Sequence, residues 1–234
     1  MRARQKEIVF VTHGGKRRNA GRKPRGEKPG VVHASRAILS GREPVLVTLK
    51  VGKHVSNLRT RRAFEHLVPA FFAARRASRH SKGCEGRGIR LAQFSVQHDH
   101  LHLIVEADDR TALSRGVQGL SVRIARALNR MMGRTGKVFA DRFHDRVLST
   151  PRQIRAALAY VLCNARKHGR APRERGWLDP FSSARAFDGW RGISLSPLAA
   201  TPPVVAPART WLLAIGWRRG GLIDPDHCPG VMPA

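Results

Sequence analysis

Apolar and polar residues alternate over residues 45–51 (VLVTLKV), and the run is rich in β-branched side chains, which predicts a strand. The period then changes. From residue 58 to about 79 the apolar positions Ala63, Leu67, Ala70, Phe71 and Ala74 recur every three or four residues with arginines between them, the pattern of an amphipathic helix. Gly83, Gly86 and Gly88 interrupt it. Two strand-like runs follow, residues 89–97 (IRLAQFSVQ) and 100–106 (HLHLIVE), so close together that they predict an antiparallel hairpin. A long helix is expected over 111–132, with Leu113, Val117, Leu120, Ile124, Leu128 and Met131 as its inward stripe. Residues 133–149 give a turn and a short extended segment. The next helix opens at Thr150, a capping residue, with Pro151 in its first position, and is expected to reach His168 before Gly169. Its stripe is Ile154, Ala157, Leu158, Val161 and Leu162.

Beyond residue 170, prolines and isolated tryptophans (Trp177, Trp190) indicate an irregular wrap, with one short helix over 208–216. The order β-α-β-β-α-β-α fits an α+β fold of the ferredoxin-like class, a four-stranded antiparallel sheet backed by helices. Three regions are expected: a basic flexible arm over 1–43, a globular domain over 44–169 and an irregular extension over 170–234.

Charge adds a partner to this picture. The 234 residues carry a formal net charge of +28, which calls for a polyanion. Residues 2–42 alone hold twelve lysines or arginines against Glu7 and Glu27. Such an arm, including Arg17, Arg18, Arg22 and Lys23, suits phosphate contacts that release counterions without reading sequence. The exposed side of the long helix adds Arg123, Arg126 and Arg130. No run approaches the roughly 18 apolar residues of a membrane span and the basic start lacks a signal peptide's apolar core, so no membrane partner and a cytoplasmic location are expected. The three cysteines, Cys84, Cys163 and Cys228, are odd in number and widely spaced, which excludes a disulfide framework or a CxxC zinc site. A metal would rely on nitrogen and oxygen.

Two clusters carry candidate chemistry. In the second hairpin strand, His100 and His102 are two residues apart and point to one face, a bidentate platform for an ion, while Leu101 points to the other. His98 falls in the turn and is read as flanking. Tyr160, the only tyrosine, precedes Asn164 by one helical turn, about 6 Å at 1.5 Å per residue, so phenol and amide share a face. A phenol ionises only near pH 10 and is a weak nucleophile at neutrality unless its target is made more electrophilic. A divalent ion on His100, His102 and Asn164 would do that for a phosphodiester. The donor set leaves open positions and suits Mg2+ or Mn2+, although imidazole also takes zinc or nickel.

The runs FSVQHDHLHLIVEA and ALAYVLCNARKHG resemble the HUH superfamily of single-tyrosine transposases, in particular the REP-associated tyrosine transposase type, over residues 44–169. The family's His-hydrophobe-His strand falls on His100, Leu101 and His102, and its Tyr-x-x-x-Asn helix on Tyr160 and Asn164. The resemblance implies a metal-dependent single-stranded DNA endonuclease and strand transferase. Tyr160 would attack DNA to leave a 5′-phosphotyrosine and a free 3′-hydroxyl, and hairpin-forming single strands would be the substrate. In such proteins the tyrosine helix serves its own subunit or its partner's, so the resemblance admits a homodimer. Asp99 stands where members commonly carry Asn. The competing reading is a non-catalytic relative that grips DNA or RNA hairpins through arginines such as Arg59, Arg61 and Arg62.

Overall fold

The computed structural model describes residues 38–77, 89–193 and 204–230. Of the arm expected over 1–43, residues 1–37, with Arg17, Arg18, Arg22 and Lys23, lie outside them, as do Gly83, Gly86 and Gly88, whereas Leu39 is described and buried in the core. The elements appear in the expected order: β1 (Val45–Lys50), α1 (Arg61–Ala77), β2 (Arg90–Val96), β3 (His100–Glu106), α2 (Arg110–Met131), β4 (His144–Val147) and α3 (Pro151–Leu162). All neighbouring strands are antiparallel in the order β2-β3-β1-β4, the ferredoxin-like arrangement. No helix among the described residues is long and apolar enough to cross a membrane.

The first face of the sheet is apolar because the alternation of each strand puts Val45, Val47 and Leu49, Leu101, Leu103 and Val105, and Leu91, Phe94 and Val96 on it. Against them pack Leu67 and Phe71 of α1 and Leu113, Val117, Leu120, Ile124 and Leu128 of α2. The rings of Phe71 and Phe94 lie 4.6 Å apart. On the second face Leu46, Ala92 and Ile104 meet the expected stripe of α3. A bulge in β2, where the register shifts between Leu91 and Gln93, decides which polar residues join that second face. The extra residue reverses the alternation, so Ser95 stands opposite His102.

Three boundaries differ from expectation. α1 begins at Arg61 rather than 58, because Thr60 Oγ1 accepts the Ala63 N–H and starts the helix there. The final helix does not run unbroken to His168. α3 ends at Leu162, Cys163 leaves helical geometry (φ −101°, ψ 12°), and a separate turn, α4 (Asn164–Lys167), follows. This second piece is held by the C-terminal segment: Arg166 donates to the Pro225 carbonyl (2.9 Å) and to Asp226 (2.5 Å). Near residues 208–216 the helix α5 (Trp211–Ala214) is shorter than expected, because Thr210 caps it and Ile215 leaves helical geometry.

The extension is irregular as expected, yet it shares the core of residues 44–169. Phe187, Trp190, Leu213, Trp217 and Ile223 are buried together with α3. Gly189 has no room for a side chain, since a Cβ there would come within 2.2 Å of the Trp217 ring. Along the outer edge of β2, Val96 N–H donates to the Phe181 carbonyl (2.9 Å), Ser183 N–H to Phe94 (3.0 Å) and Ala206 N–H to Leu91 (2.8 Å), so strand groups that would face solvent are paired.

Candidate active site

The hairpin end of the second sheet face is polar, and the strand register explains how it is built. His102 of β3 lies between Thr48 of β1 and Ser95 of β2. His100 lies opposite Lys50, and across the two-residue turn the Gln97 N–H donates to the His100 carbonyl (2.8 Å). Two short rows of side chains, Thr48-His102-Ser95 and Lys50-His100-Gln97, thus share one surface. α3 crosses above them. Its start is fixed by a capping box in which Thr150 Oγ1 accepts the Gln153 N–H (3.2 Å) and Gln153 Oε1 accepts the Thr150 N–H (3.2 Å).

These elements bring three predicted residues into contact. The Nε2 atoms of His100 and His102 are 3.0 Å apart, and the Tyr160 hydroxyl is 3.3 Å from His102 Nε2. Each imidazole is held at its other nitrogen. His100 Nδ1–H donates to Asp99 (2.7 Å), and His102 Nδ1 lies 3.1 Å from Thr48 Oγ1, to which it donates when protonated there. The hydrogen bond from His100 is the main cause holding the Asp99 carboxyl below its usual range. His102 is only 5% exposed. Burial, reinforced by the positive charges of His100, His168 and Lys167, pushes it down to about 3, so it remains neutral and keeps a lone pair at any ordinary pH.

That arrangement can be tested for fit to a divalent ion. With both Nδ1 atoms protonated, two bare Nε2 lone pairs face one another, which is repulsive unless a proton or cation lies between them. Their spacing is that of two cis ligands on one octahedral ion, roughly 3 Å for bonds near 2.1 Å. Holding one ring nitrogen by a carboxylate or hydroxyl while presenting the other is the usual support for a metal-binding imidazole. Asn164 is fully buried, and neither its carbonyl oxygen nor its amide nitrogen has a partner among the described residues. Each such group costs about 1–3 kcal/mol if nothing satisfies it. The residues therefore fit an ion held by His100, His102 and Asn164. Among the described residues no three His, Cys, Asp or Glu side chains are placed to hold an ion together, so an amide would have to complete a set of three side-chain ligands.

The segment carrying Asn164 runs over the imidazoles even though the helix is broken. Its neighbours in helical spacing, Tyr160 and His168, both approach them, the His168 ring lying 6.3 Å from that of His100. His168 and Lys167 are site residues that the sequence reading missed. The Lys167 ammonium lies 4.9 Å from the Tyr160 ring centre, and burial together with the charge of His100 lowers the pKa of His168. The signal for His168 was the continuation of the Tyr160–Asn164 spacing by another four residues, and Lys167 follows Asn164 by three. Asp99 also acquires a place, as the orienting partner of His100 that also approaches Lys50 Nζ (3.8 Å).

Other predicted residues do not converge on this centre. Arg123, Arg126 and Arg130 are exposed on α2, in the layer that packs on the opposite face of the sheet. Arg59 is not a free cation. It donates to both oxygens of Asp179 at 2.8 and 3.0 Å, the pair being 8% and 1% exposed, and it lies 4.8 Å from the centre of the Phe181 ring. Arg61 pairs with Glu65, and Arg62 donates to the Met131 carbonyl. Cys163, beside Asn164, is buried and its thiol is pushed up to about 12 by that burial, which makes it an inert packing residue.

Residues 60–161 match the model of the IS200-like transposases. The fold resembles that of a REP-associated tyrosine transposase solved in complex with a REP hairpin: 75% of this chain and 94% of that one are covered, at 19% identity and a TM-score of 0.51. No curated protein matches the chain.

Proposed function

We propose that this chain, whose residues 60–161 match the model of the IS200-like transposases, is a metal-dependent single-stranded DNA endonuclease and strand transferase with Tyr160 as its nucleophile. The observation that carries the reading is the Tyr160 hydroxyl 3.3 Å from an imidazole pair whose free nitrogens converge. That these residues meet within one chain supports a reading in which Tyr160 serves its own subunit. A divalent ion, Mg2+ or Mn2+, held by His100, His102 and Asn164 would withdraw charge from a bound phosphate. The Lys167 ammonium lies over the face of the Tyr160 ring, 4.9 Å from its centre, and adds positive charge beside the nucleophile. The phenolic oxygen then gives up its proton to solvent and forms a bond to phosphorus while the bond to the 3′-oxygen breaks. The DNA 5′-phosphate stays on Tyr160 and the 3′-oxygen takes up a proton. Attack by another 3′-hydroxyl reverses the step and joins strands.

The substrate proposed is a single strand beside a hairpin; the structural relative was solved bound to a REP hairpin. Phosphate contacts would come from the basic arm, with Arg17, Arg18, Arg22 and Lys23, and from Arg123, Arg126 and Arg130. The test uses hairpin-bearing single-stranded oligonucleotides with Mn2+ and looks for a covalent adduct on a denaturing gel. Wild-type protein should form it, and Tyr160→Phe should bind the same DNA without forming it. Equal adduct from both proteins would place the nucleophile elsewhere. Tight binding with no adduct from wild type would favour the non-catalytic hairpin-binding alternative.

A further inference from the structure

One buried side chain of the polar face has no part in the mechanism above. Gln97 closes the β2–β3 hairpin opposite His100, is only 1% exposed, and turns back along its strand so that Nε2 donates to Ser95 Oγ at 2.7 Å. Ser95, fully buried, stands across the ladder from His102. The glutamine amide is therefore held between the positions facing the two imidazoles. Its carbonyl oxygen, Oε1, has no hydrogen-bond partner among the described residues. It shares that state with both polar atoms of Asn164, on the segment above. The large majority of buried side-chain polar atoms have a partner, so an orphaned amide oxygen in the row of side chains that holds His100 calls for a polar ligand there. The β2 bulge supports the placement, because without it Ser95 and Gln97 would point to the apolar face.

We propose that Gln97 is a positioning residue of the centre, its Oε1 accepting a hydrogen bond from a water bound to the divalent ion, so that it supports the ion from the sheet side while Asn164 does so from the helix side. This rests on the reading of His100, His102 and Asn164 as an ion site. Hydrogen-bonded partners outside the direct ligands commonly change metal affinity by about 10–100-fold.

The experiment measures Mn2+ binding to the full chain without DNA, by calorimetry and by the electron paramagnetic resonance of the free ion. Gln97→Met keeps the volume and removes the acceptor. It should weaken binding by about 10-fold or more, with unchanged circular dichroism. Gln97→Glu keeps an acceptor oxygen and should bind at least as tightly as wild type. Gln97→Met binding with wild-type affinity would overturn the inference and leave the ion site standing. Should Gln97→Met fail to fold, Gln97→Glu decides alone, and weaker binding by it would overturn the proposal. A wild type that takes up no Mn2+, like His102→Ala, would overturn the ion site itself and this inference with it.

Discussion

The two faces of the sheet are made from the same strands and do opposite work. Along β3, Leu101, Leu103 and Val105 enter a wholly apolar layer with α1 and α2, while His100 and His102 enter a layer where apolar packing occupies one end and polar chemistry the other. Ile104 on that second face is fully buried, and two residues away His102 meets a tyrosine. The difference teaches how a short strand can stabilise a domain and display reactive groups at once. The period of two separates the tasks by side, and the distance from the hairpin turn separates them by depth.

The sharpest way to break this division is to compare neighbours on opposite faces. His102→Ala removes a presented nitrogen, and if that nitrogen holds the proposed ion, the transition-state charge so stabilised is worth several kcal/mol. Cleavage should fall by about a thousandfold or more, each 1.36 kcal/mol being about tenfold, with melting temperature little changed. Leu103→Ala should do the reverse. A cavity in the fully buried first face costs about 2–5 kcal/mol, whereas cleavage per folded molecule stays near wild type. Thermal melts and single-turnover cleavage on both variants read the two effects separately. A large stability loss in the first or an activity loss per folded molecule in the second would merge the faces.

A second contrast lies between the sheet and the extension that seals its edge. The Arg59–Asp179 pair ties the loop just before α1 to the extension, and both side chains are almost completely buried. Asp179→Ala leaves a buried guanidinium with an incomplete partner set, which should cost about 3–5 kcal/mol. Limited proteolysis should then release residues near 180 before the sheet unfolds. Uniform resistance would mean that the extension does not depend on this pair.

How much of this was legible beforehand follows from the range of the interactions. β3 announced its two faces because period two is local, and the pairing of Thr150 with Pro151 located the start of α3 to the residue. The resemblance supplied Tyr160 and His102 as partners, and their 3.3 Å approach fits it. Long-range features were silent. The bulge that turns Ser95 and Gln97 toward the histidines has no signature in LAQ, residues 91–93, and the break at Cys163 coincides with a contact to residues 225 and 226, some sixty positions away. Arg59 read as a surface cation because its counter-charge, Asp179, lies 120 residues on.

A smaller effect tests whether the start of α3 matters to Tyr160, almost three turns later. Thr150→Ala removes one half of the capping box and should cost about 1 kcal/mol, in the range of 0.5–2. The helix is anchored beyond its first turn by buried Ile154, Ala157, Leu158 and Val161, so tyrosine placement and adduct formation at saturating DNA should be retained. Loss of adduct without loss of folded protein would show that the cap aims the nucleophile.

The mildest test concerns the arginines behind the sheet. Arg123, Arg126 and Arg130 are exposed on α2, with the apolar layer and the sheet between them and the imidazoles. If they grip DNA, they do so through phosphates distant from the bond that breaks. Replacing all three by alanine should then weaken binding to every sequence alike. The slope of log affinity against log salt should become shallower by roughly 0.7 for each single-strand phosphate no longer neutralised, about 2 in all if each arginine neutralises one. Cleavage at saturating DNA should not change, because no side chain of the polar face has been touched. Titrations of cognate and scrambled hairpins at several salt concentrations, with single-turnover cleavage alongside, read these quantities independently. An unchanged slope would remove the three arginines from the DNA path. A fall in cleavage at saturation would show instead that DNA held on the first face sets the geometry of the second, so that the faces act together.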